Sequence, residues 1–121
     1  VTVFVVQQPQ GKKRPDGSVW TPDLSSAEKY GPIRFVFQGG DQPHLTPQDS
    51  LDTARRVLSS FEPETDYVCW ASNSDPAALF AVMMVLAELE PRKLTFLIWD
   101  RQQGDRSKGY YKPVTFQLST Y

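Results

Sequence analysis

Ser72, Asn73, Ser74 and Asp75 form a polar knot between a strand-like YVCWA stretch at 67–71 and an apolar run at 77–89. Hydroxyl and amide donors directly ahead of a helix are the parts of an anion site, because unpaired backbone N–H groups and the positive end of the helix dipole meet there. A phosphate or carboxylate held by the backbone at 74–77, with Ser72 and Asn73 as side-chain donors, is the chemistry this knot offers. A plainer reading competes with it. Asp75 followed by Pro76 is a common helix start, an acidic N-cap and then proline at the first helical position. Asp75 then fills the place an anion would take, and Pro76 removes one N–H donor. The structural reading is the favoured one.

A second polar cluster, GGDQPH, contains Gly39, Gly40, Asp41 and His44, and a third is Gln7-Gln8. Neither a G-x-G-x-x-G fingerprint nor a G-x-x-x-x-G-K-[ST] phosphate loop is present. A Ser/His/Asp set can be assembled from Ser72 or Ser74, His44 and Asp41 or Asp75, but it has no G-x-S-x-G elbow. Seven acids and two arginines lie between positions 41 and 75. This pattern fits a solvated acidic face, and no metal or cofactor site is expected. One cysteine, Cys69, and one histidine, His44, rule out a disulfide framework and a zinc site built from Cys and His. The apolar neighbours of Cys69 should raise its thiol pKa and keep it inert. These residues suggest no catalytic set, so the chain reads as a non-enzymatic protein.

Basic residues gather elsewhere. Lys12, Lys13 and Arg14 lie in an early Pro/Gly-rich segment; Arg101, Arg106, Lys108 and Lys112 interleave with Tyr110 and Tyr111 near the end. Such a mixture suits stacking on single-stranded nucleic acid. A net charge of −1 provides no global field for it, so nucleic acid is the third choice of ligand.

The elements that must position these groups are legible in the 121 residues, a length that suits one domain with one core. VTVFVVQ is apolar at nearly every position, as in a strand covered on both faces. Residues 8–22 form an exposed excursion with a turn at Pro15-Asp16-Gly17. DLSSAEKYGP reads as a short helix, with Ser25 and Glu28 as a capping box, and IRFVFQ as the second strand. TPQDSLDTARRVLSSF is the clearest helix: Thr46 caps it, Leu51, Ala54, Val57, Leu58 and Phe61 share a face, and Arg55 and Arg56 lie on or near the other face within reach of Asp52. YVCWA is the third strand and LTFLIWD the fourth. A polar hairpin loop spans 101–112, and PVTFQL alternates as an antiparallel edge strand. The order predicts a three-layer α/β domain over 1–121, with a mainly parallel five-stranded sheet in the order 2-1-3-4-5. Its carboxyl rim would then collect the three polar clusters.

The run AALFAVMMVLA leaves little polar face. It is about half the ~20 residues needed to span a bilayer, and VTVFVVQQP lacks a basic leader, so a cytoplasmic protein without membrane attachment is expected. Core packing explains the run. Burial against another chain, as in a homodimer through the 77–89 helix, is the alternative, and Met83 and Met84 suit it.

VFVVQ, DLSSAEKYGPIRFVF, DYVCWASNSDPAALFAVMMVLAEL and LTFLIWDRQ…YYKPVTFQL, in that order, resemble small uncharacterised proteins encoded by tailed bacteriophages. The resemblance covers most of the chain. In that pattern the third strand often leads into Gly-Asp-Pro, whereas here it leads into Asn73-Ser74-Asp75-Pro76. The resemblance implies viral origin, expression in a bacterial host cytoplasm and an accessory role, and it transfers no catalytic residue. The functional expectation is therefore a phage accessory protein that binds a host or viral protein. The alternative is a binder of, or an enzyme on, a phosphorylated or nucleotide small molecule at 39–44 and 72–75.

Overall fold

The computed structural model describes residues 1–71, 74–101 and 109–118, with the backbone alone for Lys12, Trp20 and Arg101. Along the chain run β1 (Val3–Gln7), β2 (Lys12–Lys13), β3 (Val19–Trp20), α1 (Ser25–Glu28), β4 (Ile33–Phe37), α2 (Pro47–Val57), β5 (Tyr67–Cys69), α3 (Pro76–Glu88), β6 (Lys93–Arg101) and β7 (Gly109–Gln117). Short 3-10 turns, Pro43–Leu45 and Leu58–Ser60, flank α2.

β1 is an interior strand, second from one edge of the sheet. It pairs in parallel with β4 on one side and β5 on the other, β5 pairs in parallel with β6, and β7 closes the sheet antiparallel to β6. The resulting order, β4-β1-β5-β6-β7, is the expected 2-1-3-4-5. All five β1 residues are buried, which explains the unbroken apolar run: both of its faces are covered. Phe4 and Val6 pack beneath α2 and α3 with Ala54, Val57, Leu58, Val82, Val85 and Leu86. Val3 and Val5 point the other way, into a second cluster with Cys69, Leu97, Tyr111 and Ala27 of α1. Three layers result. Burying each Leu- or Phe-sized side chain contributes about 1.5–3 kcal/mol, so Phe4, Leu58 and Leu86, all at 1% exposure or less, anchor the fold.

The face expected of α2 is the one it buries, although the α-helix ends at Val57 and Leu58 belongs to the following 3-10 turn. Arg55 reaches Asp52 (3.2 Å) and also grips Glu88 of α3 through two nitrogens at 2.7 and 3.0 Å, so α2 and α3 are tied on their outer side as well as by their apolar contact.

Three local expectations need correction. Ser25 and Glu28 form no capping box: Leu24 occupies the cap position of α1, and the Ser25 N–H donates to the Asp23 carboxylate two residues upstream (2.9 Å). An aspartate in an Asx turn reaches that donor more directly than a glutamate folding back. The 8–22 excursion is not wholly irregular, because β2 and β3 pair there as a two-stranded hairpin. Gly17 turns its loop at φ +89°, a left-handed conformation that favours glycine. The third correction concerns β7. It is the antiparallel edge strand, but its apolar side is not covered: Phe116 and Leu118 are 51% and 56% exposed.

Candidate functional site

Two regions have the composition of a site, and they differ in kind. The first is the carboxyl rim of the parallel strands. Gln7, the last residue of β1, is 3% exposed, and its side-chain amide is the hub of the rim. Its Nε2 donates to the carbonyls of Gln38 (3.1 Å) and Asp41 (2.9 Å), and its Oε1 accepts from the Asp75 N–H (2.8 Å). β1 lies between β4 and β5, so its end falls between the loops that leave those strands, and one glutamine can hold both. Asp41 closes its own loop, accepting from the Gln38 N–H (2.9 Å) and returning its N–H to the Gln38 carbonyl (3.1 Å). Gly39 lies against Gln8 and Gln10: a Cβ there would stand 3.0 Å from the Gln10 side chain.

Asp75 caps α3 as expected, its Oδ1 accepting from the Ala77 N–H (2.9 Å). Its Oδ2 accepts from His44 Nδ1 (2.5 Å). Burial works to raise this carboxyl, but the hydrogen bonds from His44 and the Ala77 N–H outweigh it and hold Asp75 below the usual carboxylate range. Ser74 turns back on its own chain, its Oγ donating to the Ala71 carbonyl (2.7 Å). The rim therefore gathers Gly39, Gly40, Asp41, His44, Ser74 and Asp75 as the topology requires, while Ser72 and Asn73 lie outside the described residues. Chemically, it is a network of groups that satisfy one another. The His44–Asp75 pair orients an imidazole, yet among the described residues no hydroxyl or thiol is bonded to it. The anion position at the head of α3 already holds the Asp75 carboxylate.

Cys69 is remote from this chemistry. Burial pushes its thiol up to about 12, against a smaller opposing effect of its hydrogen bond with Tyr111, so little thiolate forms near neutrality. Tyr111 is raised well above its usual range, first by burial and then by Cys69. Tyr111 is 3% exposed and packs edge-on against Trp99 at 5.1 Å, which corrects the expectation that it could stack on a base. Tyr110 is exposed, Lys112 pairs with Asp100 (3.1 Å), Arg101 is described by its backbone alone, and Arg106 and Lys108 lie outside the described residues.

The second region is apolar. α2 and α3 pack side by side over the β4, β1 and β5 part of the sheet. α3 also covers Leu94 at the start of β6, with Phe96 partly buried beside it, and no further helix follows α3 among the described residues to cover Ile98, Phe116 and Leu118, which are 44–56% exposed. An open recess of about 370 Å³ lies there, lined by Met83, Leu94, Phe96, Phe116 and Leu118. Phe96 and Phe116 meet edge-on across the two strands at 5.6 Å. Also on α3, Phe80, one turn before Met83, and Met84 are 61% and 60% exposed. Sequence reading found the helical half of this surface through the apolar 77–89 run. It missed the strand half, because alternation in PVTFQL shows which side chains share a face and not whether anything covers them.

The sheet order, the three layers and the rim together define a small α/β domain with a mixed five-stranded sheet. No helix among the described residues is long and apolar enough to cross a membrane. The chain belongs to the phage Pam3 gp32-like protein family, whose model matches residues 1–118, and is therefore a small protein of a phage-encoded family. No curated protein and no solved structure matches it.

Proposed function

We propose that this protein is a non-enzymatic phage accessory protein that acts in the host cytoplasm by binding a host or viral protein through the outer side of α3 and the adjoining face of β6 and β7. The observation that carries this reading is the continuity of large apolar side chains there. Phe80, Met84, Phe116 and Leu118 are each more than half exposed, and Phe116 and Leu118 line an apolar recess together with Met83 of α3. Contiguous exposed patches of this kind mark interaction surfaces, and aromatic and methionine side chains are the types enriched in interface cores. The rim supports a ligand less well, because its donors and acceptors are already paired with one another.

The test is capture from lysate of infected host cells, with wild-type protein and the Phe116→Glu variant run in parallel. A partner retained by wild type and lost by the variant supports the reading; a partner retained equally by both removes it. A nucleotide or phosphorylated ligand at 39–44 and 72–75 predicts thermal stabilisation at millimolar ligand. Single-stranded nucleic acid at 101–112 predicts an affinity that falls steeply with salt.

A further inference from the structure

Resting on that reading, we infer that the partner seated on the α3 and β6–β7 face is a second copy of this chain, related by a two-fold axis. Such an interface must be self-complementary, with projection and recess on one patch, since each copy offers the same surface. This patch has both. Phe80 and Met84 are exposed on α3, and Phe80 lies one turn before Met83, the α3 residue that lines the recess with Leu94, Phe96, Phe116 and Leu118. Two copies facing each other place the α3 ridge of one in the recess of the other, twice over.

Charge and area agree. Like surfaces brought together normally repel through their charges. Here two of the perimeter charge pairs are neutralised within each copy: Arg55 by Glu88 at 2.7 Å on the α2 side and Lys112 by Asp100 at 3.1 Å on the hairpin side. The whole chain carries a formal charge of only −1. Phe80, Met83, Met84, Ile98, Phe116 and Leu118 are 36–61% exposed, from Met83 at 36% to Phe80 at 61%. With aromatic side chains burying 150–250 Å² each when covered, these six supply roughly 600 Å² per copy, or about 1,200 Å² for the pair, the lower end of stable interfaces.

Edge-to-edge pairing through β7 is hindered along part of the strand. The Leu118 N–H donates to the Arg92 carbonyl (2.7 Å), so even-numbered β7 residues bond to β6 and odd-numbered ones face outward. At the outward positions Pro113 has no N–H, and the Tyr111 N–H is taken by Ser26 Oγ (2.9 Å). Proline and a covering side chain blunt an edge strand against edge-to-edge pairing. This part of β7 is therefore a poor edge for a continuous sheet between copies, and the apolar face is the surface we assign to the contact.

The experiment is sedimentation equilibrium of the purified full chain between about 1 and 200 µM, a range that brackets interfaces at this end of the size scale. Wild type should approach twice the monomer mass as concentration rises. Met84→Lys, at an exposed helical position, and Phe116→Glu should each weaken the dimer at least tenfold, with circular dichroism confirming that both variants fold. A wild type that stays monomeric throughout overturns the inference, as does a dimer unaffected by Met84→Lys in a folded variant. The lysate capture distinguishes the two failures. A monomeric wild type that loses a captured protein on Phe116→Glu leaves the interaction face standing and assigns it to a different chain.

Discussion

The carboxyl rim and the α3/β6–β7 face lie on one small domain and are made in opposite ways. At the rim, polar groups that look reactive in the sequence consume one another: Gln7 holds two carbonyls and an N–H, Asp75 holds a helix start and an imidazole, and Ser74 bonds its own backbone. On the apolar face, side chains that look like core stay a third to three-fifths exposed. A buried polar group without its hydrogen bonds is costly, so the rim's chemistry goes into holding loops. An apolar surface left in water signals the reverse, a contact still to be made. In this protein the polar cluster is the structural device and the apolar surface is the candidate for function.

That contrast breaks first at Gln7. Gln7→Leu keeps the bulk and removes every side-chain hydrogen bond of the hub, which leaves the Asp41 carbonyl and the Asp75 N–H without that partner and the Gln38 carbonyl with the Asp41 N–H alone. Stability to urea at neutral pH should fall by about 2–4 kcal/mol. A loss below about 0.5 kcal/mol would mean that water replaces the amide and that the rim is wet rather than closed.

The next largest effect is at Asp75. Asp75→Ala should cost about 1–2 kcal/mol through the lost cap and the lost His44 pairing. Because its folded pKa lies below the ordinary aspartate value, the carboxyl contributes stability that is fully present above about pH 4, the unfolded value, and is lost as pH falls through the folded one. The gap between wild type and Asp75→Ala in chemical denaturation should therefore narrow between pH 7 and pH 3. A gap constant over that range contradicts the hydrogen-bonded, ionised carboxylate.

Cys69 sharpens the comparison from inside the core. A thiol pushed up to about 12 and fully buried should not react with a disulfide reagent at pH 8 until the chain unfolds. Native-state labelling, followed by mass spectrometry, checks this; fast labelling of folded protein would show the second core cluster to be open. The smallest effect belongs to the apolar face. Met84→Lys should change stability at low protein concentration by less than about 0.5 kcal/mol, because the position is already exposed. A large loss there would recast the face as ordinary core.

How legible these regions were in the sequence follows from the range of the forces involved. The sheet order was readable because its signals are local and repeated: VFVVQ apolar throughout, TPQDS opening an amphipathic helix, Asp75-Pro76 starting the next. The two-residue strands β2 and β3 are too short to carry a periodicity, so only their Gly17 turn showed. The role of Gln7 was partly visible, as a polar residue ending an apolar strand, but its partners lie 31, 34 and 68 positions away and meet only in the folded sheet. The exposure of Phe116 and Leu118 had no local signal. It depends on a layer that does not continue over β6 and β7, and alternation within one strand cannot report what lies above it.

Hydroxyl-radical footprinting tests most directly whether partners meet the face rather than the rim, because Met84 and the His44 side chain are similarly exposed, at 60% and 55%, and both oxidise readily. The protein is labelled alone at low concentration and again in lysate of infected host cells. The account predicts that Met84 becomes protected in the lysate while His44 is modified as before. Protection of His44 with Met84 unchanged would contradict it and return the search for function to the rim.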